Sequence, residues 1–259
     1  MSKAKTNRNA VIIAGTPEKG LRADVALVAR GLFESRAKAQ EAIAAGLVTA
    51  DGRTVRKASD SIGSATALAA RALYPWVSRG GVKLAAALDA FGFDPAGRIC
   101  LDIGASTGGF THVLLARGAR RVHAIDVGRA QLHPSLAADP RVVSREATDA
   151  RSLTTDCFAE PPSLITCDTS FISLALILPP VLGLAAPNAL LVALIKPQFE
   201  AGPRDVVKGI VKDTGTHKRV CGEIEDCVRG HGWHIESIIP SPIAGGDGNR
   251  EFLLGARRA

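Results

Sequence analysis

None of the five cysteines (Cys100, Cys157, Cys167, Cys221, Cys227) stands in Cys-x-x-Cys spacing. An odd number without that spacing gives neither a disulfide framework nor a zinc-binding set. It fits reduced thiols in a cytoplasm, and no metal is expected. The first residues are polar and lack the apolar core of a secretory leader. Phe171 to Ile195 contains no charged residue but is interrupted by Pro179, Pro180, Gly183, Pro187 and Asn188. It reads as a helix from Ile172 to about Leu178, a turn, and a strand over Ala189–Ile195. A membrane span is therefore not expected. Two nucleotide signatures are also missing. There is no Gly-x-Gly-x-x-Gly fingerprint for a dinucleotide and no Gly-Lys-Ser/Thr for a phosphate-cradling loop.

What the chain does have is apolar bulk and positive charge. Its 259 residues, 46% hydrophobic, suffice for one large domain and a small one. The net charge is +7, and it is placed unevenly. Residues 1–60 carry 11 Lys and Arg against 6 Asp and Glu, while the rest carries 21 against 19. An anionic partner such as RNA fits that front excess.

The stretch Arg98–Phe110, RICLDIGASTGGF, organises the remainder. Ile99, Cys100, Leu101 and Ile103 form an apolar run suited to a strand buried on both faces. Gly104, Gly108 and Gly109 allow a tight turn, and Phe110 to Leu115 open a helix. Strand, glycine turn and helix place a ligand outside the strand's carboxyl end. Asp102 before the glycines would repel a pyrophosphate and suit a cationic ligand. Asp102-Ile-Gly-Ala-Ser-Thr-Gly-Gly resembles the first motif of S-adenosylmethionine-dependent methyltransferases. That resemblance implies Asp102, Gly104, Ser106 and Gly108 in the cofactor site. Asp126, ending a second strand (Val122–Asp126), can accept both ribose hydroxyls. Asp149, after a third strand (Arg141–Arg145), can accept from the adenine amino group.

Further strands are expected at Leu164–Asp168, Ala189–Ile195, Trp233–Ile239 and Arg250–Leu254, with a helix through Val220, Ile224 and Val228. Alternation of strands and helices predicts an α/β fold: a mostly parallel, Rossmann-like sheet closed by an antiparallel edge hairpin. A helix with Leu84, Leu88 and Phe91 on its apolar face leads into it.

In the front part, Ala10–Ala14 is a candidate strand. Leu21, Val25, Val28, Ala29 and Leu32 fall at helical spacing, beginning at Leu21. Ser35 suits the N-cap of a second helix through Ala45, and Gly46 suits its stop. Asp51-Gly52 between Leu47–Ala50 and Arg53–Val55 is a two-residue hairpin signal. Residues 22–59 resemble the RNA-binding domain of ribosomal protein S-four. That resemblance points to Arg22, Arg36, Lys38, Arg53, Arg56 and Lys57 as RNA contacts; helix-start basic groups and free N–H groups suit phosphate. The expected division is an α+β RNA-binding domain at 1–62, a linker at 63–78 and a methyltransferase domain at 79–259.

Four polar residues stand in apolar surroundings: Lys83, Asp168, Lys196 and Glu251. Each alone would be an ordinary ion pair. Together with Ser-Arg-Gly-Gly-x-Lys, Asp-x-Ser-Phe and Lys-Pro-Gln-Phe-Glu, they resemble the catalytic set of FtsJ-type ribose 2′-O-methyltransferases. Residues 15–255 as a whole resemble the TlyA (hemolysin A) family. The family implies S-adenosylmethionine as cofactor, ribosomal RNA or a ribosomal subunit as partner, and a cytidine ribose as acceptor. Which of the four acts as base stays open, as do the modified nucleotide and the subunit.

Base methylation and membrane activity are the alternatives. A cytosine-C5 enzyme needs a cysteine nucleophile. Strand alternation turns Cys167 into the core if Asp168 faces the site. An amino-directed enzyme would usually show Asn/Asp-Pro-Pro-aromatic where this chain has Asp168-Thr-Ser-Phe. A pore former needs a continuous apolar or long amphipathic segment, which 171–195 does not supply. A non-catalytic RNA-binding factor would not need the intact set of four.

Overall fold

The computed structural model describes residues 20–246 and 248–258, so the candidate strand Ala10–Ala14 lies outside the described residues. The chain divides into two units, with the boundary between Pro75 and Trp76.

The first unit opens with β1 (Leu21–Arg22), which pairs antiparallel with β4 (Ser61–Ile62). Helix α1 therefore begins at Ala23 and runs to Ala29, two residues later than the spacing predicts. Its buried face is Ala23, Asp24, Ala26 and Leu27, whereas Leu21 and Leu32 are exposed. Alanines let α2 (Arg36–Ala44) approach closely, and Ala39, Ala42 and Ile43 meet them from its side. The Ser35 hydroxyl accepts the Lys38 N–H as the N-cap, and Gly46 follows α2 at φ +71°. β2 (Val48–Ala50) and β3 (Arg53–Thr54) form the expected hairpin. Asp51 and Gly52 both have positive φ, 47° and 75°, the requirement of a type I′ turn. The expected linker 63–78 is not a separate segment. β5 (Leu68–Ala70) pairs with β2 and extends this small sheet, and Tyr74 donates to Glu41.

The second unit holds a seven-stranded sheet. Helix α3 (Gly80–Phe91) stops at left-handed Gly92. It is followed by β6 (Ile99–Ile103), α4 (Gly109–Ala116), β7 (Arg121–Ile125), α5 (Pro134–Ala137) and β8 (Val142–Arg145). Then come β9 (Leu164–Cys167), α6 (Leu174–Leu182), β10 (Leu190–Ile195), α7 (Pro197–Glu200), α8 (Thr214–Arg229), β11 (Trp233–Pro240) and β12 (Phe252–Arg258). The order is β11-β12-β10-β9-β6-β7-β8. All of β10, β9, β6, β7 and β8 run parallel; β12 runs against both of its neighbours. The antiparallel strand is thus one in from the edge, not the edge itself. Helix α8 carries the chain past β10 to the edge position, and the returning hairpin strand fills the gap.

The central strands β6, β9 and β10 are buried at every residue, as expected for a sheet covered on both faces. Cys167 is in the core beneath α6. Two expectations fail locally. Pro179 and Pro180 do not end α6, which continues to Leu182. A proline removes the bond to the carbonyl four residues earlier. Here those carbonyls belong to Ala175 and Leu176, which are exposed to water, while Leu174, Ile177, Leu178 and Val181 hold the helix in the core. Glu251 is not inside a strand; it is buried in the turn just before β12.

Candidate active site

The chain steps from β6 to β7 and β8 on one side, then returns to place β9 on the other side of β6. That reversal leaves a crevice at the strand ends, where α/β sheets bind ligands. Two cavities occupy it. The larger, about 610 Å³, is lined by Gly104 and Ser106 after β6, Asp126 to Gly128 after β7, Thr148 to Arg151, and Asp168 to Ile172 after β9. The smaller, about 180 Å³, is lined by Ser78, Gly80 and Lys83 of the α3 entry, the glycine turn, Asp168, Ser170 and Lys196. Gly104, Ser106, Asp168 and Ser170 belong to both.

The glycine turn is shaped by contacts a side chain would break. Gly104 has φ +78°, and a Cβ there would fall 2.5 Å from the Asp168 carbonyl oxygen. Asp126 sits one residue past β7, with its two oxygens accepting from the Ser106 and Gly128 N–H groups at 2.7 Å each. Those bonds fix a carboxylate on the cavity wall and leave a lone pair on each oxygen. Asp149 also lines the larger cavity, but it is shared. It caps the turn Ala150–Ser152 and pairs with the Arg151 guanidinium at 2.6 Å.

Two expected cofactor residues are placed otherwise. Asp102 is fully buried under the turn and lines neither cavity. Its oxygens accept from Thr111 Oγ1 at 2.7 Å and Thr166 Oγ1 at 2.9 Å. Burial pushes its carboxyl up to about 6 against the pull of those hydroxyls. Gly108 is likewise not in the lining. Its φ of +93° starts α4, and Leu132 and Leu136 pack where a side chain would be.

The four polar residues resolve into two ion pairs. Lys196, one residue past β10, lies 2.7 Å from Asp168 Oδ1 and donates to Ser170 Oγ at 2.8 Å. Lys83 lies 2.5 Å from Glu251 Oε2, and Glu251 stands behind it, outside the lining. Lys83, Lys196 and Glu251 are buried. The sequence reading missed Ser170 and Phe171 as site residues. Phe171 is 90% exposed at φ +65°, with its ring 5.0 Å from that of Phe199. The signal was a large apolar residue directly after a strand-end motif, where burial would be the rule.

In the first unit, Arg53, Arg56 and Lys57 are exposed around the hairpin. Lys38 pairs with Glu34. Arg22 and Arg36 both bond Asp24. Among the described residues no helix is long and apolar enough to cross a membrane, and no three His, Cys, Asp or Glu side chains form a metal-holding group.

Comparison with known proteins decides the family. The model for FtsJ-like methyltransferases matches residues 76–258, and that for the S4 domain matches residues 21–64. The 16S/23S rRNA (cytidine-2′-O)-methyltransferase TlyA of Mycobacterium tuberculosis is 46% identical over 239 residues, 91% of this chain and 89% of that protein. The chain belongs to the TlyA family. A solved structure described as a putative hemolysin from Streptococcus thermophilus matches with a TM-score of 0.74 and 39% identity, covering 93% of this chain and 89% of that one. A structure described as a putative S-adenosylmethionine dependent methyltransferase from Listeria monocytogenes, 16% identical with a TM-score of 0.52, covers 68% of this chain and 100% of its own. It shows the sheet architecture alone. The chain is thus a methyltransferase with an S4 domain in front.

Proposed function

We propose that this TlyA-family chain transfers a methyl group from S-adenosylmethionine to the 2′-hydroxyl of a cytidine in ribosomal RNA. The observation that carries the reading is the Lys196–Asp168 pair on a small cavity that shares four residues with a nucleoside-sized one. The cofactor fits the larger cavity. The fixed Asp126 carboxylate suits two ribose hydroxyls. Exposed Val127 offers an apolar face to adenine, and the Asp149 edge an acceptor for its amino group. Gly104, Ser106 and Asp168 form the wall on the substrate side. S-adenosylmethionine supplies an electrophilic methyl group there.

The remaining work falls to side chains. The ribose oxygen must lose its proton as it takes the methyl group. In its neutral amine form Lys196 is the group placed to receive that proton and become an ammonium, with Asp168 and Ser170 fixing the direction of its Nζ. Lys83, held by Glu251, puts a positive charge on the same cavity, where it stabilises charge developing on the oxygen. Phe171, exposed at the edge of the larger cavity, supplies an aromatic face on which the nucleobase stacks. The S4 domain holds the RNA, with Arg22, Arg36, Lys38, Arg53 and Lys57 as its phosphate contacts. The test is to incubate the protein with labelled S-adenosylmethionine and separated ribosomal subunits and to map the modified nucleotide. Label on a base, or none on either subunit, would end this reading.

A further inference from the structure

We propose that Asp24 is a positioning residue that builds a two-arginine phosphate clamp on the S4 domain, with Arg22 and Arg36 as its jaws. The inference rests on the reading that this domain binds RNA and adds how it is made ready to do so. Asp24 lies on α1 and is fully buried. Arg22 approaches it from β1, with Nε 3.0 Å from Oδ1 and Nη2 3.2 Å from Oδ2. Arg36 approaches from the first turn of α2, with Nε at 3.2 Å and Nη2 at 2.9 Å from Oδ2. Gln40, one turn further along α2, donates to the same oxygen at 2.6 Å.

The geometry of these bonds is informative. A guanidinium has five N–H donors and two edges able to grip an oxyanion in a fork. Both arginines spend the Nε/Nη2 edge on Asp24. The Nη1/Nη2 end edge of each is left facing away from the carboxylate and bonds no described residue. The side chains remain 49% and 57% exposed. The node joins two positive charges to one negative, so it stays net positive at the surface. The Arg22 fork, followed by Gln40 and then Arg36, holds the Asp24 carboxyl well below the usual carboxylate range. A lone buried carboxylate would be costly, and arginines placed only for stability could be buried with it. Here the anion is inside and the cations are outside. That arrangement removes rotamer freedom from two long side chains before the RNA arrives, which is a cost binding would otherwise bear.

The sign of one substitution separates positioning from charge balance. Asp24→Asn removes a negative charge from a domain that binds a polyanion, so long-range electrostatics alone predicts tighter binding. Positioning predicts the opposite. With the full-length protein and a fluorescein-labelled RNA hairpin, Asp24→Asn should weaken binding by about tenfold, the scale of ordering two arginines afresh. The slope of log affinity against log salt should become shallower by roughly the one or two phosphates the clamp holds. Equal or tighter binding by a variant whose far-UV spectrum and melting match the parent would overturn the proposal. Failure of the parent protein to bind the hairpin would instead sink the RNA-binding reading itself. If Asp24→Asn does not fold, the double variant Arg22→Lys, Arg36→Lys carries the test. It keeps both charges and the carboxylate but loses both forks. A loss of about tenfold supports the clamp, and parental affinity overturns it.

Discussion

Replacing Asp102 by asparagine should make the catalytic unit more stable at alkaline pH, although it removes a residue from the signature turn. Asp102 is fully buried, and its carboxyl is pushed up from 3.8 to about 6 by burial. The folded value lies above the unfolded one. The group therefore contributes its full stability below about pH 4 and loses it as pH rises through 6. A rise of about two units corresponds to about 3 kcal/mol, of which roughly 1.4 kcal/mol is lost between pH 5 and pH 8. Asparagine cannot ionise, and the Thr111 and Thr166 hydroxyls can turn to serve its amide. Urea unfolding followed by tryptophan fluorescence reads this directly, since Trp76 and Trp233 both lie in the second unit. Other carboxyls, such as Asp139 and Asp213, are shifted down and act in the opposite direction. The quantity to plot is therefore the difference between parent and variant. It should move towards the variant by roughly 1.4 kcal/mol from pH 5 to pH 8. A flat difference, or one moving towards the parent, would refute the argument. S-adenosylmethionine affinity should be unchanged within a few fold, because Asp102 does not line the cavity.

Three more outcomes follow from the same geometry. Lys196→Arg keeps its charge but cannot act as a base; it should bind cofactor and RNA nearly normally and transfer no methyl, and substantial turnover would assign the base elsewhere. Asp126→Ala strands the Ser106 and Gly128 N–H groups and removes the ribose acceptors, so calorimetry should show cofactor affinity down by tenfold or more, about 1.5–3 kcal/mol for each charged bond lost; parental affinity would remove Asp126 from the site. Gly104→Ala forces a Cβ against the Asp168 carbonyl at positive φ and should cost about 1–3 kcal/mol in urea unfolding, with methyl transfer falling further because Asp168 holds Lys196; a stable, active variant would mean that the strand end yields.

The sequence made the strand ends legible because local chemistry dictates them. Gly104 is required by its φ, Asp51-Gly52 by a type I′ turn, and β6 by an apolar run buried on both sides. Partner choice was not legible. Lys83, Asp168, Lys196 and Glu251 could be grouped from their surroundings, but their division into two pairs depends on how β9, β10, α3 and the turn before β12 meet. The Asp24 node was not legible either, because two of its three side-chain partners, Arg36 and Gln40, lie 12 and 16 residues away on α2. Asp102 was misplaced for a related reason: alternation along a buried strand does not say which side lies under α4. Pro179-Pro180 read as a helix end because the local rule is strong. Four buried side chains of α6 outweigh two missing hydrogen bonds whose acceptors reach water.

The four residues common to both cavities have a consequence for inhibitor chemistry. Gly104, Ser106, Asp168 and Ser170 form a party wall rather than a partition, so a single molecule can occupy both rooms. Adenosine in the larger cavity, tethered through a short linker to a nucleoside in the smaller, would displace donor and acceptor together. Such a compound should compete kinetically with both S-adenosylmethionine and RNA, whereas an adenosine analogue alone should compete only with the first. Its selectivity would come from the smaller end, where Lys83 and Lys196 would flank the ribose.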